Sequence, residues 1–185
     1  MKKILAFTML FLLVFTAACG SNEDNTTGSK QEGEPTEENT AETKTALMEF
    51  QVKVVDVLQQ QNKPFAAFES SKLKANDPEA AAEEKPSKEE LQSLMETAKA
   101  AGPKAAEAIR AIEVPAELEQ YKKDIEAALE DAAKSYEKRA ESLAIEAAEN
   151  AQKEADELFA SFEKKMGKVF EDLGLLAPSF SKELQ

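Results

Sequence analysis

The feature that most limits what this chain can fold into is a set of apolar stripes with helical spacing after residue 42. The longest stripe places an apolar or small side chain at every third or fourth position between residues 118 and 173. Its members are Leu118, Tyr121, Ile125, Leu129, Ala132, Tyr136, Ala140, Leu143, Ala147, Ala151, Ala155, Leu158, Phe162, Met166, Val169 and Leu173. No segment alternates with the period of two that is typical of a strand. The pattern predicts an all-α protein.

The same stripe predicts one very long C-terminal helix. Its steps average about 3.67 residues, which is close to an eleven-residue repeat and indicates a helix that runs nearly straight or slightly right-handed. Pro115 suits the first position of this helix, and Gly174 suits its C-terminal cap.

Two further helices are predicted before the long one. We expect the first to be broken near Pro64, because proline lacks the N–H of a helical hydrogen bond, and a short helix to follow. Ser87 and Glu90 have the spacing of a capping box and open the second helix. The apolar register continues across Gly102 and Pro103, which indicates a kink rather than an end. The first helix carries Leu47, Phe50, Val54, Val57 and Leu58, and its continuation carries Phe65, Phe68 and Leu73.

These elements predict an elongated bundle of three to four helices over residues 42–176, with a C-terminal tail at 177–185. The second helix covers only half of the long helix, so something else must cover residues 158–173. The first helix with its continuation is one candidate, and a second copy or a partner is the other. In the second case the possible interface residues are Phe159, Phe162, Met166 and Phe170. The alanine-rich middle of the stripe is expected to leave little room for a pocket.

The N-terminus has the layout of a secretory signal. Lys2 and Lys3 precede an uncharged apolar run at residues 4–15, and small residues follow as far as Ala18. Cys19, the only cysteine, comes directly after them. The stretch resembles the signal of bacterial lipoproteins, although Thr16 stands where that class prefers leucine.

The resemblance implies a diacylglyceryl group on the Cys19 thiol and cleavage directly before it. Residues 1–18 would then be a lipoprotein signal peptide, and residues 19–41 a lipidated cysteine with a disordered, acidic tether. That tether would hold the domain on the order of 25 Å from its anchor. Two alternatives stay open: an uncleaved anchor, which is short of the roughly 20 residues that span a bilayer, and an ordinary secreted protein with a stray cysteine.

Charge and residue types limit the possible functions. The full chain has a net charge of −13, and loss of Lys2 and Lys3 with the signal would bring it to −15, which argues against nucleic acid as a partner. The chain has no histidine, and a lipidated Cys19 leaves no thiol, so we expect no transition-metal site, no cofactor and no enzyme. Charged runs such as 137–139 are interpreted as solvated faces, and Tyr121 and Tyr136 as core residues.

The sequence therefore predicts a lipid-anchored protein on the extracytoplasmic face of the cell membrane, with a non-enzymatic interaction or structural role. Its partner would be an envelope protein or a cell-wall component. In layout the chain resembles small helical bacterial lipoproteins assigned to cell-wall binding. The alternatives are a ligand- or solute-binding accessory lipoprotein, and self-assembly, including a homodimer, through the C-terminal phenylalanine stripe.

Overall fold

The computed structural model describes residues 37–146 and 152–184. Within these ranges all regular structure is helical, so the all-α prediction is confirmed. The helices are α1 (Glu37–Asn76), α2 (Lys88–Arg110), α3 (Lys122–Ser142), α4 (Lys153–Asp172) and the short α5 (Phe180–Glu183), with 3₁₀ turns at Ala82–Glu84 and Ala116–Tyr121. Within the described ranges, no helix combines the length and the apolar composition of a membrane span. The predicted signal peptide and residues 19–36 of the predicted tether lie outside the described residues.

Helix α1 begins at Glu37, inside the predicted tether, and continues without a break through Pro64. The predicted break is therefore wrong. Side chains of α3 hold α1 close to the proline: the Tyr136 hydroxyl donates to the Leu58 carbonyl at 3.2 Å. The Tyr136 ring also meets the buried Phe65 edge to face at 5.5 Å. Tertiary packing of this kind outweighs the lost backbone hydrogen bond.

Helix α2 begins and continues as predicted. The Ser87 N–H donates to Glu90 Oε2 at 2.8 Å, and the Glu90 N–H donates to Ser87 Oγ at 3.1 Å, which completes the capping box. The helix runs through Gly102 and Pro103. A Cβ atom on Gly102 would lie 2.3 Å from the Cβ of Ala140, so α2 and α3 cross here almost backbone to backbone.

The prediction of one very long C-terminal helix is wrong, because α3 ends at Ser142 and α4 begins only at Lys153. Helix α4 folds back along α3, where Asp131 Oδ2 accepts hydrogen bonds from Ser161 and Lys165, both at 2.6 Å. The stripe itself is confirmed as the inward face, since its described members are buried or partly buried. Folding back buries the two halves of the stripe on each other, which one straight helix cannot do.

Gly174 ends α4 in the left-handed conformation, at φ +68°. Its N–H donates to the Glu171 carbonyl and the Leu175 N–H donates to the Phe170 carbonyl, both at 2.8 Å. This is the Schellman pair of bonds, and it confirms the predicted cap. The chain then turns back across the bundle as the C-terminal segment, residues 174–184.

The C-terminal segment contributes to the core. Phe180 is fully buried, and its ring lies 4.7 Å from that of Phe162, centroid to centroid. Residues 158–173 are thus covered by the same chain, through α3 and this segment. Of the two alternatives for covering residues 158–173, the structure shows the intramolecular one. The covering elements are α3 and the C-terminal segment, and not the first helix as expected.

Candidate binding cleft

A cleft of about 1050 Å³ opens between the second half of α1 and the first half of α4. Along the chain α1 packs on α2, α2 on α3 and α3 on α4, so the cleft lies between the first and last helices of this series. Helix α3 forms its floor, and the C-terminal segment closes one end with Ser181 and Leu184.

The floor is built around Arg139 of α3. Its Nη2 donates to both carboxylate oxygens of Glu69 at 2.8 Å, and its Nη1 donates to Asn62 Oδ1 at 2.7 Å. The guanidinium also lies 4.7 Å from the centroid of the Phe65 ring. With 21 % of its side chain exposed, Arg139 is not the solvated residue that the sequence predicted. It joins α3 to α1 by a bidentate ion pair, a hydrogen bond and a cation–π contact.

Tyr136 lies beside Arg139 on the floor and is buried, as the sequence predicted. Burial raises the pKa of Tyr136 to about 12, since the phenolate would lose its hydration. The hydroxyl therefore stays protonated well into the alkaline range and acts as the donor to α1. In this geometry Tyr136 joins α3 to α1.

The walls of the cleft combine apolar side chains with polar and charged ones. Most of the apolar ones come from the two facing helices. Helix α1 contributes Ala66 and Leu73, and α4 contributes Ala155, Phe159 and Ala160. Leu73 is 74 % exposed, which places it at the rim. The expectation that the alanine-rich middle of the stripe leaves little room for a pocket is wrong here, since Ala155 at its end lines the cleft. At the crossing of α2 and α3 the small Ala140 side chain lets the two helices come into close contact. Between α1 and α4 the helices lie further apart, and alanine side chains are too small to fill the space between them.

The rim of the cleft carries excess negative charge. Lys74 and Asp77 lie on the α1 side, and Asp156 and Glu163 lie on the α4 side. Among the described residues neither Asp156 nor Glu163 forms an ion pair, and Glu163 Oε1 accepts the Ser181 N–H at 2.8 Å. Because Glu69 is balanced by Arg139, the remaining groups leave a net charge of about −2 around the cleft.

The residues singled out from the sequence have different positions. Cys19 lies outside the described residues. Phe162, Met166 and Phe170 are buried in the core of the single chain, whereas Phe159 is partly buried and lines the cleft. These side chains form one cluster, but only Phe159 borders an open surface.

Sequence reasoning missed the residues that shape the cleft. Arg139 and Glu69 are 70 positions apart, and neither belongs to a local motif. Leu73 was assigned to a helix face, but nothing in the sequence marks that part of the face as uncovered. The only sequence signal is that Arg139 follows Tyr136, a member of the stripe, by one helical turn. This pattern is also common in helices with solvated arginines.

No group of three or more histidine, cysteine, aspartate or glutamate side chains is placed to hold a metal ion in the ranges that the structure describes. Comparisons with protein families, with curated proteins and with solved structures found no match to this chain. Its function has to be inferred from its own residues.

Proposed function

We propose that this chain is a bacterial lipoprotein, held on the extracytoplasmic face of the cell membrane by lipid on Cys19, and that it acts there by binding rather than by catalysis. The observation that carries the proposal is the position of the lone cysteine, directly after a positive start, an apolar run and three small residues. Diacylglycerol supplies two acyl chains, which anchor stably where a single chain is marginal.

The residues after Cys19 support the same assignment. Between residues 21 and 41 the chain has no aromatic and no large aliphatic side chain, so this stretch has little apolar surface to bury. The described helical domain begins at Glu37. Anchor and domain are thus separated by a polar stretch, which would let the domain meet other envelope components.

The cleft favours a binding role over a purely structural one. A volume of about 1050 Å³ is at the upper end of ligand sites, and the cleft sets apolar side chains such as Phe159 beside fixed polar groups such as Arg139. Self-assembly through the phenylalanine stripe is less favoured, because Phe162, Met166 and Phe170 are already buried within one chain. The partner would be an envelope protein or a cell-wall component that reaches this cleft.

The anchor is tested by Cys19→Ser in the cell of origin, with Ser21→Ala as a matched control. We expect the control to take up labelled palmitate and to sediment with membranes. The Cys19→Ser protein should take up no label, and it should be released or remain as uncut precursor. Normal labelling and normal processing of Cys19→Ser would refute the proposal.

A further inference from the structure

We propose that the cleft between α1 and α4 binds a short peptide segment in which apolar side chains are flanked by lysine or arginine. This inference rests on the proposed function as a binding protein and assigns the chemistry of its ligand.

The chain itself shows how this gap holds a peptide. The C-terminal segment occupies the part of the gap next to the cleft and inserts Phe180 against Phe162. The side-chain amides of Gln59 and Asn62, on α1, donate to two of its backbone carbonyls at 2.8 and 3.3 Å. From the α4 side, Glu163 accepts one of its backbone N–H groups at 2.8 Å. This gap therefore binds a segment of peptide through one buried aromatic side chain and through hydrogen bonds from helix side chains to the peptide backbone.

The cleft continues this gap with similar walls. From Asn62 to the end of α1 the α1 wall is about 21 Å long, and from the start of α4 to Glu163 the α4 wall is about 15 Å long, at 1.5 Å per helical residue. An extended peptide of about five to seven residues has this length at 3.3 Å per residue. Apolar side chains of the peptide would pack on Phe159 and on the exposed Leu73, which would then be covered.

Charge decides which apolar peptide fits. Asp77, Asp156 and Glu163 outnumber Lys74 around the cleft, and the two on α4 have no cationic partner among the described residues. Lysine or arginine beside the apolar anchors would complement this rim, whereas aspartate or glutamate would be repelled. The whole chain, at −13, favours the approach of the same class of peptide.

The test uses the full chain in zwitterionic nanodiscs, with empty nanodiscs as the blank. The probe is a labelled peptide of about seven residues, with lysine and leucine alternating around a central phenylalanine, and its counterpart has glutamate in place of lysine. Ala160→Trp fills the cleft from α4, and Ala67→Trp is the control, because Ala67 is also exposed but does not line the cleft. Fluorescence anisotropy reports the affinity, and far-UV circular dichroism reports the fold.

We expect the lysine peptide to bind, and the glutamate peptide to bind at least about tenfold more weakly. Ala160→Trp should lower the affinity for the lysine peptide about tenfold or more, whereas Ala67→Trp should change it about twofold at most. If Ala160→Trp does not fold, Leu73→Ser should weaken binding, whereas Leu176→Ser, at a 94 % exposed leucine outside the cleft, should not.

Equal affinity of the two tryptophan variants, or of the two peptides, would overturn the proposal. The proposal would also be overturned if the unmodified chain self-associates and Ala160→Trp abolishes this association, because a second copy of the chain would then occupy the cleft. Labelling and release of Cys19→Ser report on the anchor independently. Failure of peptide binding would therefore leave the lipoprotein assignment standing, and failure of the anchor would leave the cleft measurement interpretable.

Discussion

The crossing of α2 and α3 makes a quantitative prediction at Gly102. Alanine at this position would place its Cβ 2.3 Å from the Cβ of Ala140 and 3.2 Å from the carbonyl oxygen of Tyr136. Carbon atoms in contact prefer about 3.5–4.0 Å, so the two helices would have to separate by more than about 1 Å. Neither neighbour can move independently, because one is a Cβ and the other is backbone.

The expected cost follows from two opposing effects. Overpacking of a core costs about 1–3 kcal/mol, and a backbone collision belongs at the upper end. Alanine recovers about 1 kcal/mol of helix propensity relative to glycine. Gly102→Ala should therefore lower the free energy of unfolding by about 2 kcal/mol, or the melting temperature by about 6 °C at about 3 °C per kcal/mol for a domain of this size.

A double-mutant cycle identifies the colliding atom. Ala140→Gly alone should cost about 2 kcal/mol, through helix propensity and a lost buried methyl. Independent changes would then sum to about 4 kcal/mol. The pair should cost less than about 1 kcal/mol, because the two propensity effects cancel and the methyl merely changes helix. Urea denaturation of the four proteins measures the coupling.

Gly167→Ala is a control with a milder predicted collision than Gly102→Ala. Its Cβ would lie 3.2 Å from Ala177, in the non-helical part of the C-terminal segment, which can shift by a few tenths of an ångström. We expect a change of less than about 1 kcal/mol. If Gly102→Ala were as stable as the unmodified protein, or if the cycle were additive, the close approach of α2 and α3 at Ala140 would be refuted.

Two further predictions concern the fold-back of α4. Phe180→Ala should lower the free energy of unfolding by about 3–5 kcal/mol in urea, because a fully buried aromatic ring is removed from Phe162; a loss below about 1 kcal/mol would mean that the C-terminal segment is not part of the core. Burial opposes ionisation of Asp131, but hydrogen bonds from Lys165 and Ser161 outweigh it and hold the pKa of Asp131 below its ordinary value of 3.8. Its stabilisation is therefore present above about pH 3.8 and is lost as the pH falls through the lowered pKa. Asp131→Asn should cost about 1–3 kcal/mol at pH 7 and progressively less as the pH falls below about 3.8. A cost that does not fall with pH over this range would contradict a role for the charged carboxylate.

The two prolines inside helices show how far local reasoning extends. Around Pro103 the apolar register continues, and the helix was correctly predicted to continue with it. Around Pro64 the local signal favours a break, but Tyr136 and Arg139 of α3 contact α1 on both sides of the proline. They bond to Leu58 and Asn62 before it, and both contact the Phe65 ring after it. Their contacts cross more than 70 positions of the chain, and no window of sequence around the proline contains them.

The sequence by itself determined the features that depend on residues within a few positions of one another. These are the helical class, the capping box at Ser87, the glycine cap at Gly174 and the inward face of the stripe between 118 and 173. Each depends on backbone hydrogen bonds between nearby residues or on the period of 3.6 residues per helical turn, and both are local properties.

Only the tertiary structure decided that this stripe belongs to two helices and that α1 continues through its proline. It also decided that a cleft opens where α1 and α4 face each other. A stripe has the same period whether its helix continues or folds back, since both arrangements place the same side chains inward. The choice between them depends on which arrangement buries more apolar surface, and that surface includes Phe180, which lies outside the predicted bundle.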